Sequence, residues 1–589
     1  MGILIPVLVC AAVVAALLKA LGYFDNRPKA NNPFSHDTQT PPKPKVIDQK
    51  QRDAVLKQSY SAEKVPSELD AVIIGSGIGG MTVAAIMAKA GKKVLVLEQH
   101  DQAGGCCHTF IDKGYEFDVG IHYIGELGYQ SESKTLLDQI TKGQLQWADL
   151  DEKYDEIVFA EDGKEIRKYP VSLGKDVWQN DLKRRFPEEE ENIDKFFKLL
   201  ESVRRGFKNS MVVKLVPLWV VKLLDVTGLI HKMTNFYKWN AKSVKEVVWN
   251  VTPNQELRDI FCYCFGDYGT PPSKAGFPMQ ATLLTHWSKS ASYPVGGASE
   301  IAFNIIPVIE EAGGKVLVRA EVTKIVIGSN GTVCGVEVKK GREVTTINTP
   351  MVISNAGVFN TFERLLPQEI ATSSRLWPIV KGSEHGIGAI SVFIGINASS
   401  EEIDIIHKQN YWVFNKNNID KAFNDYAKLS REEALDVDFP LMFVSFPSTK
   451  DPEWNKKYSG HKNDFILSLK NLKLALWTSN NYLAVGDLYH HTIRLLGPVK
   501  VDPAKTLVGV ILESIHWLSL MNPLSNHSYC SQGKISNLDR TPNKHRSVCN
   551  PTDSDPPAMP ETSTNGNDDS TDDLPERGWV GCMGTCMAL

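Results

Sequence analysis

Between Gly75 and Gly80 the chain reads Gly-Ser-Gly-Ile-Gly-Gly, and a carboxylate, Glu98, follows 18 residues after the last glycine. The spacing G-x-G-x-x-G has a specific chemistry. Gly75 permits a tight turn, Gly77 lets backbone approach a pyrophosphate, and Gly80 lets a helix pack closely on a strand. Ser76 and Gly79 complete the turn. A carboxylate at the position of Glu98 accepts the hydroxyls of an adenosine ribose and repels a 2′-phosphate, so this first site suits FAD or NAD rather than NADP. A second glycine pair, Gly104-Gly105, runs straight into Cys106 and Cys107. Adjacent cysteines have Cα atoms only about 3.8 Å apart across a trans peptide, too close for an unstrained disulfide. They are also too few for a metal site, as are Cys262 and Cys264 with their C-x-C spacing, and no metal is expected. The reading that remains for the vicinal pair is small, polarizable side chains lining a pocket beside the glycines.

The elements that position these residues are legible. Leu69–Ile74 is an apolar run suited to a buried parallel strand. Met81–Ala90 is a helix of small residues that Gly91 ends, and Lys93–Leu97 is the next strand, closing on Glu98. The three make one βαβ unit, and the helix N-terminus presents N–H groups and a positive dipole end to phosphates. After Glu98 the chain goes directly to the second glycine pair. Tyr115, Phe117 and Val119 then alternate with Glu116, Asp118 and Gly120, as in a strand. Far downstream, Tyr293–Ile327 reads as a Gly-Gly turn, a helix with Ile301, Ile305, Ile306 and Ile309 on one face, Gly313-Gly314, and strands.

The chain has 589 residues, too many for one small core, so two or more domains are expected. With 42% hydrophobic and 23% charged residues it is ordinary for a globular protein, and a net charge of −4 gives no sign of nucleic-acid binding. Ten cysteines, irregularly spaced, do not form a disulfide framework. Ile3–Phe24 is apolar with one charge, Lys19, and is long enough to cross a bilayer. It lacks a basic start and a clear cleavage site, which favours an uncleaved anchor over a removed signal peptide. Orientation stays open. Lys19, Arg27 and Lys29 favour a cytoplasmic body, whereas sequons at Asn250, Asn330, Asn397 and Asn526 favour a lumenal one.

The glycine pair after the acidic residue, with Gly114, Asp118 and Gly120 on the following strand, resembles the extended FAD-binding region of amine-oxidase and phytoene-desaturase-like flavoproteins. "MVISNAG", Met351–Gly357, resembles the strand and turn that close that half of the fold. Within this superfamily the phrases "EQHDQAGGCCHTF", "FDVGIHYIGE", "YPVGGASEIAFNIIP" and "SFPSTKDPEWNKKYSG" are similar to the retinol saturase family and its carotenoid isomerase relatives. That resemblance implies an α/β fold: a Rossmann-like FAD-binding domain assembled from separated segments, with an α+β substrate domain inserted. It implies FAD as cofactor, NAD or NADP as a possible electron source, and an apolar polyene such as all-trans-retinol as substrate. It further implies saturation of one carbon–carbon double bond at the endoplasmic reticulum membrane. It carries a flavin-pocket role to Cys106, Asp118 and Gly120, and an adenine-holding backbone contact to Val322. Saturating a polyene bond needs a hydride, which reduced flavin supplies when bound, and a proton on the neighbouring carbon. His122 and Tyr123, directly after the strand expected to line the flavin, are the candidate proton donors.

The expected organisation is an anchor over 1–24, a linker over 25–67, FAD-binding segments over 68–145 and 291–360, and substrate-domain segments over 146–290 and 361–460. The resemblance departs after about residue 460, leaving a divergent region over 461–530 and a disordered, acidic, Pro- and Ser/Thr-rich tail over 531–589. The nearest match to the superfamily's second FAD motif is Gly486-Asp487, but the residues after it are bulky where glycines are needed. Two alternatives to the reductase reading therefore stand: an isomerase or desaturase-like flavoenzyme, and a catalytically silent chain that cannot close on flavin. Met211–Met233 is apolar with interspersed lysines, consistent with either a membrane-interface segment or a buried helix pair.

Overall fold

The computed structural model describes residues 32–458 with short interruptions at 113, 129–130, 214–216, 388–389, 398–406, 431–432 and 436, together with strands at 464–471 and 493–494. Four strands form a parallel sheet in the order Lys315–Leu317, Val94–Leu97, Ala71–Ile74, Val352–Ser354. Val72 sits opposite Leu95 on one side and Val352 on the other. Every residue of the two central strands is buried, because both faces of the sheet are covered. Ala71, Ile73, Val94 and Val96 point to helices Ile78–Lys89 and Glu300–Glu311, meeting Met81, Ala84, Ala85, Ile301, Ile305 and Ile309. Val72, Ile74, Leu95 and Leu97 point the other way, onto an antiparallel sheet of Glu321–Ile327, Val333–Lys340 and Glu343–Asn348. Strands near residue 80 and strands near residue 330 thus share one sheet, and the first domain is assembled from separated segments.

The second body is built on a mixed seven-stranded sheet. Its order is Ile493–Arg494, Ile390–Asn397, Asp464–Asn471, Leu441–Ser445, Asn410–Phe414, Lys153–Phe159, Arg167–Ser172. Helices Glu190–Val213, Gln255–Cys262 and Phe277–His286 pack on it around Phe196, Phe261, Tyr263, Phe277, Trp412 and Phe414. The strand 464–471 lies inside this sheet, with Phe393 opposite Ser468, so the second body continues past the boundary expected at 460. The two bodies meet at a hairpin, Thr109–Asp112 with Tyr115–Asp118, whose Phe110 and Phe117 rings pack on Phe393 at 5.0 and 5.3 Å.

The linker expected over 25–67 is, from residue 32 on, part of the first domain. Helix Gln49–Leu56 buries Leu56 and Arg52, and Ser59 bridges Val318 in parallel. Arg52 pairs with the buried Glu300 of the return helix, Lys45 reaches the same carboxylate at 2.9 Å, and the guanidinium lies 4.9 Å from the centroid of the Phe303 ring. Arg52 and its partner lie 248 residues apart, beyond any local pattern. Among the described residues no helix is long and apolar enough to cross a membrane. The anchor expected over 1–24 and the tail over 531–589 lie outside the described residues.

Candidate dinucleotide site and its buried neighbours

The glycine turn sits where the parallel sheet ends and the Ile78–Lys89 helix begins. Gly75 has φ +95°, and its N–H donates to the Leu97 carbonyl at 2.8 Å, tying the turn to the neighbouring strand. A Cβ on Gly80 would overlap the Gly75 carbonyl oxygen, so only glycine lets the first helical turn press onto the loop. A Cβ on Gly105 would stand 2.8 Å from the Gly77 Cα, so the Gly104-Gly105 pair is packed against the Gly75–Gly80 turn. Gly77 is the helix N-cap, has no side chain, and leaves the first helical N–H groups without a capping oxygen. An uncapped helix start behind a glycine turn is the arrangement that accepts an anion.

Glu98 closes the cradle. Its Oε2 accepts from the Ser76 N–H at 3.0 Å and the Ser76 hydroxyl at 2.7 Å. Its Oε1 accepts from the His100 N–H at 3.0 Å and faces His100 Nδ1 at 2.7 Å. Burial alone would raise its pKa, but the hydrogen bonds from His100 and Ser76 hold the carboxyl at about 2. The same pairing raises the His100 pKa. The Gly104 N–H donates to Ser76 Oγ at 3.0 Å, so both glycine pairs and the carboxylate form one hydrogen-bonded unit. An anionic carboxylate beside an uncapped helix start, with glycines at the positions where the loop and helix press together, fits the ribose and pyrophosphate of a dinucleotide. Gly79 lies in the first turn of the helix. Val322 is brought to the same end of the sheet: it lies two residues past Ala320, whose N–H donates to the Glu98 carbonyl at 2.8 Å. Its strand pairs irregularly between Val322 and Lys324.

The vicinal cysteines divide. Cys107 is buried with Ile78, Ile121 and Ile301 in the helix-side core. Cys106 is half-buried, and its carbonyl accepts from the Ile121 N–H at 3.0 Å beside Gly120. Asp118, expected at the cofactor, lies fully buried with its carboxyl accepting from the Tyr293 hydroxyl at 2.7 Å and from the Ala298 N–H. Burial pushes its pKa up to about 7, and the nearby Glu116 pushes the same way. Asp118 thereby clamps the glycine turn at Gly296-Gly297.

His122 and Tyr123 separate in role. The His122 ring is buried, with Nδ1 3.9 Å from Asp118 Oδ2 and its centroid 5.4 Å from that of Phe443. Tyr123 stacks on Trp287 at 4.7 Å, and its hydroxyl donates to Asp155 at 2.8 Å. Asp155 also accepts from Tyr263, Asn410 and Trp412 at 3.0 to 3.3 Å, and its burial pushes its pKa up to about 7. Sequence reasoning missed the residue that joins these groups, Lys450. It is fully buried and donates to the His122 carbonyl at 3.1 Å, to Ser445 Oγ at 2.7 Å and to Asn410 Oδ1. A lone lysine 328 residues from His122 carries no local signal. Gly486 and Asp487 lie outside the described residues.

A family model described as an NAD(P)-binding Rossmann-like domain matches residues 73–140, the span from the first strand through both glycine pairs and Glu98. The chain is 39% identical over 511 residues to an all-trans-retinol 13,14-reductase of Danio rerio, covering 86% of this chain and 84% of that protein. It is 44% identical over 465 residues to the Homo sapiens protein of that name, covering 78% and 75%. The chain belongs to the all-trans-retinol 13,14-reductase family. A Danio rerio member named inactive all-trans-retinol 13,14-reductase is 36% identical over 508 residues, covering 85% of this chain and 83% of that protein. A match spanning 86% of this chain extends beyond residue 460, in keeping with the seven-stranded sheet running on to residue 471.

Proposed function

We propose that this chain is an FAD-dependent oxidoreductase that saturates the 13,14 double bond of all-trans-retinol to give all-trans-13,14-dihydroretinol. The observation that carries the proposal is 39–44% identity to all-trans-retinol 13,14-reductases over most of the chain. The two glycine pairs and Glu98, joined as one site, support it independently. Gly75 to Gly80 would hold the pyrophosphate, Glu98 the ribose, and Gly104-Gly105 the approach to the flavin, with NAD or NADP as electron source. Among the candidate acids His122 is favoured over Tyr123. Its ring lies beside a carboxyl poised near neutrality, whereas the Tyr123 hydroxyl is already committed to Asp155. The apolar stretch Ile3–Phe24 supports residence at the endoplasmic reticulum membrane. The test is anaerobic incubation of the full chain with FAD, a reductant and all-trans-retinol, followed by chromatography. Accumulation of the dihydro product is expected; its absence from a flavin-loaded sample would defeat the reading.

A second reading has its own support. The family contains a member named as inactive that is nearly as similar as the others. Under that reading the chain keeps the Rossmann site without turnover, and the same incubation separates the two: flavin retained and retinol unchanged.

A further inference from the structure

The helix Leu218–Val226 is turned inside out for a protein surrounded by water. Trp219, Lys222, Leu223 and Val226 share one face at helical spacing, and that face is the exposed one. Trp219 is 70% exposed, Leu223 56% and Val226 87%, and Leu229 at the start of the next helix is 46% exposed. Exposed apolar residues scattered singly need no explanation, but four large ones on consecutive turns do.

The rim says what covers them. Between residues 218 and 242 there are four lysines, Lys222, Lys232, Lys238 and Lys242, all exposed, against one acid, Asp225. Lys238 and Lys242 lie 5.2 and 5.6 Å from the centroid of the Trp239 ring, which itself packs against the substrate-domain core. Tryptophan and long basic side chains flanking an apolar face fit the headgroup level of an anionic bilayer. A protein partner would have to match an apolar ridge and a surplus of cations at once, and a second copy of this face would repel it.

We propose that the Leu218–Val226 helix docks in the surface of an anionic lipid bilayer, as a contact separate from the N-terminal apolar stretch. It sets the substrate domain against the membrane from which an apolar polyene would enter; that last clause rests on the function proposed above, whereas the contact does not. The test uses the full chain in phosphatidylcholine–phosphatidylserine vesicles whose acyl chains carry bromine near the headgroup. The protein has 12 tryptophans, so the Trp219 signal is taken as the difference between wild type and Trp219→Phe, after matching melting temperatures show that the variant folds. Bromine is expected to cut the Trp219 emission at least about twofold, because an interfacial helix buries its apolar face in the region where the bromine sits. Reversing Lys222 and Lys232 to Glu is expected to relieve that quenching. Equal emission with and without bromine would overturn the proposal, showing the face covered by protein. Quenching unaffected by the charge reversal would overturn its anionic-lipid component. Because neither readout involves flavin or retinol, the inference can fail while the enzyme reading stands, and the reverse.

Discussion

Replacing Glu98 with Gln keeps the shape and removes the charge. The carboxylate has four donors around it: the Ser76 N–H and hydroxyl on one oxygen, the His100 N–H and ring on the other. An amide can serve only one pair. The hydroxyl can turn and the imidazole can change tautomer, but one backbone N–H, of Ser76 or of His100, loses its acceptor whichever way the amide faces. The pKa gives the magnitude. A carboxyl held at about 2 against an ordinary 4.5 corresponds to stabilisation on the order of 3 kcal/mol. Because the folded-state pKa is depressed, this contribution is present above pH 4.5 and is lost as pH falls through about 2. Denaturant unfolding of wild type and Glu98→Gln should therefore differ by about 3 kcal/mol near pH 7, and the gap should narrow below pH 4.5. FAD affinity, followed by flavin fluorescence, should fall on the order of tenfold or more with loss of a charged acceptor for the ribose. A stability gap that does not change with pH, or unchanged FAD affinity, would refute the reasoning about this carboxylate.

Three further outcomes are expected. His122→Gln should lower the rate of retinol saturation by roughly a hundredfold or more with flavin retained, while Tyr123→Phe should keep most of it, because that hydroxyl is committed to Asp155; steady-state assays of both variants decide the acid. Arg52→Met takes one of two cations from the buried Glu300, leaving Lys45, and should cost about 1–3 kcal/mol in unfolding free energy, although residue 52 lies outside every motif. Lys450→Met strips a donor from the His122 carbonyl, Ser445 and Asn410, and should destabilise by about 3 kcal/mol, read by thermal melting.

How much of this was legible in the sequence follows from distance along the chain. The glycine turn, its helix, Glu98 and the second glycine pair lie within 31 residues, Gly75 to Gly105, and each leaves a local signature of spacing or periodicity. The return crossover was legible for the same reason, since Gly-Gly, helix and Gly-Gly follow one another. The buried polar groups were not. Lys450 meets His122 across 328 residues and Arg52 meets Glu300 across 248, and such pairs have no period. Polar composition was also misleading: residues 32–67 read as linker, yet Arg52 is buried against Glu300 and Lys45 reaches the same carboxylate. Asp118 was placed on the right strand, but its carboxyl clamps the Gly296-Gly297 turn through Ala298 and Tyr293, a tertiary contact that spacing does not disclose.

The central claim is that the joined glycine pairs and Glu98 make this chain a flavoprotein. The most direct measurement is the visible absorption spectrum of the purified full-length chain, before and after incubation with FAD and removal of the excess. Flavin bands that stay with the protein and are released on denaturation are expected. A colourless protein that does not retain FAD would contradict it.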